Sequence, residues 1–539
     1  SDLMSFQNPI HPRNQSGLSI PVGCLFHEGL NMNPKVSRRI FLKGTFAGAC
    51  AMLTAPLAMG QSDNKSLPPE RIQALKAKGV VHYLDFGAKG DGKTDDLEAI
   101  LNAHAFANEH GLPVRAEDGA TYYIGGRNLT AEIMTDTDFG KANFIIDDHS
   151  VEKRGQNIFV VASGKEAFKP AGITSLKKNQ KQIDLTLPGN GLVIVTNSKV
   201  KRYIRSGGNQ NKGADQTDIF QVDAEGRADP KTPIIWDFDE ITDISVLPMD
   251  ETPLRITGGR FTTLANQGES KSLYYNRGLA IERSNVIVEG LEHRVTGEGE
   301  TGAPYNGFLN IRSCAEVTIS KCLFTGRKVY KTIGSAGREV DMGTYDIGIN
   351  KALNVSFVDC SQTNDIHDKR LWGIMASNYC KNLLYDHCTF SRFDAHMGVA
   401  NATIRHSTLG HQGINAIGSG TFTLENSTVC GKHLINLRGD YGSTWEGEFI
   451  IRDCVFKPST GTSESVCLIG GFNSGEHDFG YPCYMPERIT LENLLVDDSK
   501  PPENYKGPAI FANFNDKMRD ESHVDRKSTR LNSSHEWIS

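Results

Sequence analysis

Polar and apolar residues alternate strictly between positions 392 and 399. The polar positions hold Arg392, Asp394, His396 and Gly398, and alternate residues of a β-strand share one face. Histidine can exchange a proton near neutral pH, arginine can neutralise a carboxylate, and aspartate can orient a histidine. The segment therefore predicts an outward strand face equipped for acid–base chemistry on an anionic substrate.

The preceding segment, residues 365–374, has a similar character. Its predicted outward residues are His367, Lys369, Leu371 and Gly373. Aligning the last glycine of this set with Gly398 gives a register for two neighbouring strands about 4.8 Å apart. In that register Lys369 would lie beside Asp394, and His367 beside Arg392.

Two later segments, residues 411–417 and 435–441, extend the predicted surface. Their outward residues are expected to be His411, Asn415, Asn436, Arg438 and Asp440. Asn415 and Asn436 are expected to continue the row that contains His396. Glycines 373, 398 and 413 would keep the face flat, so that a long ligand could lie close to the backbone.

These residue types meet the needs of β-elimination in a uronic-acid polymer. The reaction neutralises the carboxylate, removes the adjacent C5 proton and protonates the departing oxygen. The base would be His396 or Lys369, oriented by Asp394, and the proton donor His411 or Tyr441. Arg392 and Arg438 would neutralise the uronate. The residues expected to bind the substrate are His367, Asn415, Asn436, Asp440 and Trp445.

An internal repeat supplies the strands on which these residues lie. Eight segments have apolar residues at their second and fourth positions, and their ends are 19 to 40 residues apart, as in a solenoid with loops. The segments are 285–291, 316–322, 354–360, 382–388, 401–407, 421–427, 448–454 and 488–494. Four of them end in a cysteine, namely Cys322, Cys360, Cys388 and Cys454, which predicts a ladder of small interior residues rather than disulfides.

Residues 83–96, YLDFGAKGDGKTDD, precede a helical pattern from Leu97 to Glu109. The segment resembles the opening motif of the pectate-lyase-like superfamily, which has the pectin lyase fold. The resemblance implies an all-β, single-stranded right-handed parallel β-helix with an N-terminal capping helix, for which Asp96 is the expected N-cap. Residues 127–280 lack the repeat, and strand-like runs at 191–196 and 233–238 predict an inserted β subdomain.

A second resemblance concerns residues 385–391, YDHCTFS, which are similar to the D-H-C-x-F-S stretch of family 1 pectate lyases. A structural role for Asp386 and His387 is at least as compatible with it as catalysis. The hydrolase family best known on the predicted fold carries N-T-D, D-D, G-H-G and R-I-K motifs, of which only a partial match occurs at residues 410–413.

Two other functions therefore stay open beside the lyase. A glycoside hydrolase needs two carboxyl groups roughly 5–9 Å apart, and Asp368, Asp394 and Asp440 are the candidates. A non-catalytic carbohydrate-binding or tailspike-like protein needs only the polar surface.

Residues 32–60 resemble a twin-arginine signal peptide, with Arg38 and Arg39 followed by an apolar run. The sequence thus predicts a periplasmic or secreted protein without stable membrane insertion after cleavage. The expected organisation is 1–31 upstream non-native sequence, 32–60 leader, 80–126 cap, 127–280 early coils with the insertion, 281–515 β-helix coils and 526–539 an artefactual tail.

The balance of charged residues limits the classes of macromolecule that the protein is expected to bind. The chain has 58 Lys and Arg against 64 Asp and Glu and no basic run that would neutralise a phosphate backbone, which argues against nucleic acid. An acidic polysaccharide is the expected partner. No cofactor is implied with certainty, although Ca²⁺ held by scattered carboxylates is compatible with the composition.

Overall fold

The computed structural model describes residues 67–511 apart from 206, 271–273, 459–465, 472–480, 482, 502 and 506. The predicted leader and the segments 1–31 and 526–539 lie outside this range. No helix in the described part of the chain is both long and apolar enough to cross a membrane.

Regular structure is almost entirely β. Within the described residues the α-helices are α1 (Pro69–Lys78) and α2 (Leu97–His110), and short 3-10 helices span Tyr83–Phe86, Gly207–Asn209 and Gly439–Tyr441. The first strands are β1 (Val81–His82), β2 (Asp91–Asp95), β3 (Val114–Arg115), β4 (Thr121–Ile124), β5 (Ala131–Ile133), β6 (Thr137–Asp147), β7 (Phe159–Val161), β8 (Gly191–Arg202), β9 (Ala214–Val222), β10 (Asp243–Pro248), β11 (Leu254–Leu264), β12 (Leu279–Ile281), β13 (Val286–Glu289), β14 (Glu292–Thr296), β15 (Leu309–Ser320) and β16 (Leu323–Phe324). The others are β17 (Arg327–Lys328), β18 (Tyr330–Ile333), β19 (Glu339–Met342), β20 (Ile347–Val358), β21 (Ser361–Gln362), β22 (Leu371–Gly373), β23 (Met375–Asp386), β24 (Thr389–Arg405), β25 (Thr408–Ala416), β26 (Gly418–Glu425), β27 (Thr428–Gly431), β28 (His433–Leu437), β29 (Trp445–Pro458), β30 (Cys467–Gly470), β31 (Arg488–Val496) and β32 (Ala509–Phe511).

Among the described residues, 25 of these strands form one continuous parallel sheet that winds into a β-helix. The predicted repeat is confirmed by the backbone register, because the second positions of all eight segments pair in succession. They are Val286, Val317, Val355, Leu383, Ala402, Phe422, Phe449 and Ile489. Apolar side chains at these positions stack along the interior, and burial of that row is the main contribution to stability.

The predicted cysteine ladder is also confirmed. Cys322, Cys360, Cys388 and Cys454 are all buried and unpaired by disulfides. Their Sγ atoms lie near backbone carbonyl oxygens of the neighbouring coils, as in the 3.3 Å contact from Cys388 to Phe357. A thiol is small and apolar enough to fill this interior position on successive turns.

Helix α2 closes the N-terminal mouth of the β-helix. It buries Leu97, Ile100 and Phe106 in the same apolar core as the first coils. Asp96 occupies the expected N-cap position of α2 but makes no side-chain capping hydrogen bond. Its carboxylate accepts the backbone N–H groups of Lys89 (2.6 Å) and Gly90 (3.0 Å) and so fixes the glycine-rich turn. The N–H of Leu97 is satisfied by Asp95 instead.

The predicted inserted subdomain is present as a separate antiparallel sheet of β10, β8 and β9. It has its own apolar cluster, which includes Val193, Phe220 and Val246. The strand expected over residues 233–238 is wrong, since this segment forms only an isolated bridge from Phe238 to Leu176. Its apolar pattern instead fills the cluster with the buried side chains of Ile234 and Phe238.

A buried ion pair holds this sheet against the β-helix. Lys381 on β23 and Asp218 on β9 are 2.7 Å apart, with side chains only 2% and 1% exposed. Burial lowers the pKa of Lys381, and the neighbouring Asp218 carboxylate opposes that shift. The pair therefore fixes the position of β9 against β23 on the outside of the β-helix.

Replacing Lys381 by Met is expected to lower the free energy of unfolding by about 3–5 kcal/mol, because it leaves the Asp218 charge buried without its partner. Urea denaturation measures the change. Lys177→Met is the matched control, since Lys177 pairs with Asp239 in full solvent and its loss should cost less than about 1 kcal/mol. Equal costs for the two variants would contradict a structural role for the buried pair.

Candidate active site

The predicted alternation along β24 is confirmed for residues 392–395 and is wrong at Met397, which packs in an outer cluster with Tyr203 and Tyr441 instead of the interior core, beyond a register shift against β23. Phe393 and Ala395 are fully buried in the interior core, so Arg392 and Asp394 point to the outer side of the coil. The expected exposure is wrong, because Arg392 is 3%, Asp394 0% and His396 6% exposed. A polar outer face exists, but it is covered.

The cover comes in part from the inserted sheet. The chain that continues beyond β8 carries Tyr203 and Arg205 over the outer side of β24. A Cβ atom at Gly398, whose φ is 84°, would overlap the Tyr203 hydroxyl. The absence of a side chain at Gly398 therefore admits this tyrosine, and does not provide the flat ligand platform that the sequence suggested.

Arg205, Arg392 and Arg438 form what we call the arginine cluster, together with two aspartates. Arg392 Nη2 lies 2.5 Å from Asp394 Oδ2, and Arg438 Nη1 lies 3.8 Å from the other oxygen of that carboxylate. Asp440 accepts hydrogen bonds from Arg438 (2.7 Å) and Arg205 (2.8 Å). Burial alone would raise the pKa of Asp440, but Arg438 and Arg205 together hold it well below its usual range.

The cluster contains more hydrogen-bonding capacity than it uses. Within the described residues, Arg392 Nε, Arg438 Nη1 and Asp394 Oδ1 are buried and have no hydrogen-bond partner. An unsatisfied buried donor is costly unless a water or ligand completes it. The Asp440 side chain is 29% and that of Arg205 23% exposed, so the cluster opens to solvent at this pair.

His396 and Tyr441 form a hydrogen-bonded pair beneath the arginines. Tyr441 Oη and His396 Nε2 are 3.1 Å apart, and His396 Nδ1 lies 3.0 Å from Asn378 Oδ1. Since an amide oxygen only accepts, it fixes the proton on Nδ1 and leaves the Nε2 lone pair to accept the tyrosine O–H. Arg205 and Arg438 lie over the Tyr441 ring at 5.2 and 5.0 Å.

Electrostatics set the protonation state of this pair. Burial, reinforced by Arg438 and Arg205, lowers the pKa of His396 well below its ordinary value of 6.5, so the imidazole is neutral at physiological pH. Burial raises the pKa of Tyr441 to about 12, against the opposite pull of the two arginines. The pair thus combines a neutral base with a protonated phenol, which is a usable acid–base couple.

The structure does not bring His367, Lys369 and His411 into this site. His367 and Lys369 are exposed on a loop, and the two His411 ring nitrogens lie 3.0 and 3.1 Å from the carbonyl oxygens of Ile366 and Leu371. The predicted strand over residues 365–374 is wrong apart from β22. Asp365 and Asp368 instead accept local backbone N–H groups, and such turns compete with strand pairing.

The predicted register between Gly373 and Gly398 is also wrong. Gly373 lies against Arg392, whose Cδ would be 2.9 Å from a Cβ at the glycine. Asp394 pairs in register with Asn415, and Asn415 with Asn436. The two asparagines therefore continue the row of Asp394 rather than that of His396, because a register shift between Phe390 and Arg392 moves the pairing of β24 with β25 by two residues. Their side chains are joined by a 2.8 Å hydrogen bond.

A substrate-binding role for Trp445 is wrong. The side chain is fully buried in the interior core, packs on Phe422 and Phe449 with ring centroids 5.6 and 5.3 Å away, and donates its indole N–H to Gly420 O. Its spacing places it at the first position of β29, where the side chain turns inward.

Trp445→Ala is therefore expected to lower the free energy of unfolding by about 3–5 kcal/mol through loss of buried apolar volume. Chemical denaturation measures this loss. Trp445→Phe should keep most of the stability and leave saccharide affinity unchanged. A loss of affinity in a stable Trp445→Phe protein would restore the binding role.

Sequence reasoning missed several members of the site. Arg205 lies 235 residues from its partner Asp440, and nothing in the local pattern links them. Trp372 was not among the candidate residues, but Arg392 lies over its ring at 4.9 Å. Asn378 occupies a coil with no recognisable chemical motif, and only the three-dimensional structure places it beside His396. Among the described residues no three carboxylates converge in a way that would hold an ion. Binding of Ca²⁺ therefore remains an untested prediction.

The sequence matches no protein-family model and no curated protein. Among solved structures, it is similar to the tailspike of Pseudomonas phage phi297, with 14% identity over 80% of this chain and 76% of that chain and a TM-score of 0.46. A tailspike of an Acinetobacter baumannii bacteriophage, solved with capsular saccharide, has 11% identity, covers 83% and 77%, and gives 0.45. An exopolygalacturonase from Thermotoga maritima has 13% identity, covers 78% and 92%, and gives 0.34.

Proposed function

We propose that the protein is a polysaccharide lyase that cleaves a uronic-acid-containing polymer by β-elimination at the arginine cluster. The observation that carries the proposal is the neutral His396 hydrogen-bonded to Tyr441 directly beside Arg205 and Arg438. An anionic sugar needs the cations for binding, and elimination needs the base and the acid next to them.

In this proposal the sugar carboxylate takes the place of the Asp440 side chain. The Asp440 carboxylate is held by two guanidinium groups at the solvent-accessible edge of the cluster. A uronate carboxylate has the same charge and geometry, and the unpartnered Nη1 of Arg438 supplies a further donor. Exchange of Asp440 for the substrate carboxylate would place the sugar ring above His396 and Tyr441. Neutralising that carboxylate makes the C5 proton more acidic.

The His396–Tyr441 pair can carry both proton transfers. The Tyr441 O–H turns from Nε2 to the oxygen at C4, which frees the Nε2 lone pair of His396 to take the C5 proton. The C–H electron pair forms the C4–C5 double bond, and the C4–oxygen bond breaks. Tyr441 donates its proton to the departing oxygen. Transfer of the new proton from Nε2 to the phenolate along their hydrogen bond then restores both groups. Asn378 keeps the imidazole oriented throughout, while Lys369 and His411 have no part in this scheme.

The ionised state of the aspartates favours a lyase over a glycoside hydrolase that would use the same residues. A glycoside hydrolase needs one protonated carboxyl group. Asp440 is paired with two arginines and has a lowered pKa, so it stays ionised, and the Asp368 carboxylate is engaged with Arg370 outside the cluster. A non-catalytic saccharide-binding protein would need the arginines but not the polarised His396–Tyr441 pair.

The proposed lyase acts outside the cytoplasm. The twin-arginine motif at residues 37–43 supports export to the periplasm or beyond, where extracellular acidic polysaccharides occur. Fusion of residues 32–60 to a reporter that folds only in the cytoplasm tests this, because export should require both Arg38 and Arg39.

A screen against pectin, alginate and glycosaminoglycans tests the reaction. Ultraviolet absorbance reports the new double bonds, which are conjugated with the uronate carboxylate, and a reducing-end assay runs in parallel. The proposal predicts absorbance and reducing ends rising together on at least one uronate polymer. Reducing ends without absorbance would identify a hydrolase, and binding without either signal would identify a saccharide-binding protein.

A further inference from the structure

Two histidines and one aspartate meet on the outer surface, at turns away from the arginine cluster. Asp386 ends β23, His387 follows it, and His406 follows β24 one coil later. The pairing of Asp386 with Arg405 brings the two histidines into register, and their rings stack with centroids 4.6 Å apart. Their side chains are 57% and 44% exposed.

The donor atoms of the three residues converge on one point. His387 Nδ1 lies 2.8 Å and His406 Nδ1 3.1 Å from the same oxygen, Asp386 Oδ1. One ligand atom from each residue lies within 4.8 Å of the other two. Two imidazole nitrogens and a carboxylate oxygen at this spacing can surround an ion with bonds of about 2.0–2.2 Å.

We propose that Asp386, His387 and His406 bind a divalent transition-metal ion such as Zn²⁺. Imidazole nitrogen is a preferred ligand for Zn²⁺, Cu²⁺ and Ni²⁺, whereas Ca²⁺ prefers a shell of oxygens. Three protein ligands leave a fourth position for water. The ion would join two successive turns of the solenoid.

Neighbouring groups prepare the carboxylate for this role. Arg405 holds Asp386 Oδ2 with hydrogen bonds of 2.9 and 2.8 Å, which fixes the carboxylate and leaves Oδ1 directed at the histidines. Without an ion, each Nδ1–H donates to that oxygen. When Nδ1 binds the ion, the single proton of each neutral imidazole moves to Nε2, which faces solvent.

The converging second histidine distinguishes this cluster from an ordinary surface contact. His149 and Asp147 form a pair of the same kind, with Nδ1 2.7 Å from Oδ1 and a histidine side chain that is 48% exposed. No other group of three histidine, cysteine or acidic side chains converges in this way among the described residues. The His149 pair is thus a natural control for binding by a single His–Asp contact.

Asparagine is the substitution that tests the site with least damage to the fold. His387 and His406 have φ values of 54° and 50°, a left-handed conformation that asparagine tolerates and that Asn426 adopts one coil later. His387→Asn, His406→Asn and the double variant remove the nitrogen ligands, and His149→Asn serves as control. Thermal unfolding without metal should be nearly unchanged in all four proteins.

Calorimetric titration of the chelator-treated, full-length protein without a polyhistidine tag measures the binding of Zn²⁺, and Co²⁺ absorption reports the ligand field. We expect one Zn²⁺ per chain, bound about tenfold or more weakly by each single variant and not at all by the double variant. His149→Asn should bind as the wild type does. No binding by the wild type, or unchanged binding by the double variant, would overturn the proposal. Failure of the lyase screen would leave this result unaffected.

Discussion

His396→Gln is expected to reduce the rate of unsaturated-product formation by about 100- to 10,000-fold, the range of general acid–base catalysis. Glutamine can still hydrogen bond to Asn378 and Tyr441, the two partners of the imidazole, but it cannot take a proton. The initial rate of absorbance increase measures the effect at saturating and at limiting substrate. Substrate affinity should change much less, because the arginines that bind the uronate remain.

The pH profile of the wild type supplies a check that loss of folding would not mimic. Because burial and the arginines lower the pKa of His396, the base stays neutral as the pH falls through 6.5. We therefore expect kcat/KM to be flat across this pH and to decline only at more acidic values. A profile that falls with a midpoint near 6.5, or an active His396→Gln enzyme, would exclude His396 as the base.

Arg438→Gln is expected to lower kcat/KM by about 10- to 100-fold. A hydrogen bond to a charged group contributes about 1.5–3 kcal/mol, and 1.4 kcal/mol corresponds to a factor of ten. Arg438 lies between Asp394 and Asp440 and over Tyr441, so its loss removes a cation from both the carboxylate site and the acid–base pair. Steady-state kinetics on the best substrate of the screen measures the change.

The matched control for that variant is Arg452→Gln. Arg452 is 45% exposed on β29, where it pairs with Glu492, so the same substitution removes the same charge from a neighbouring strand without touching the cluster. Its kinetics should equal those of the wild type. Because Arg438 is buried, the melting temperature of both variants is recorded as well. A folded Arg438→Gln enzyme with undiminished kcat/KM would contradict the proposed uronate site.

Local patterns in the sequence predicted the stacked coils of the β-helix and the helix α2. The second positions of the repeat, from Val286 to Ile489, stack as expected because every coil must bury its apolar side chains in the same interior. The opening motif likewise predicted α2. The inserted sheet was only partly readable, since Ile234 and Phe238 are apolar for burial in an irregular segment rather than in a strand.

The site was harder to predict than the fold. Alternation along β24 correctly put Arg392 and Asp394 on the outer side of the coil. It could not show that Tyr203 and Arg205, far away in the sequence, would cover them. One register shift in the pairing of β24 with β25 then moved the asparagine row by two residues, and such an irregularity leaves no trace in a periodic pattern. Trp445 was misassigned because an aromatic at a strand end fits both a core and a saccharide platform.

The mass of the reaction products tests the central claim most directly. Full-length protein is incubated with the uronate polymer that gives the strongest signal in the screen, and the oligosaccharides are analysed by mass spectrometry. Elimination through His396 and Tyr441 predicts fragments that are one water lighter than the corresponding hydrolysis products and that are absent with His396→Gln. Products that are all of full hydrolytic mass, or light fragments that persist in the variant, would contradict the account.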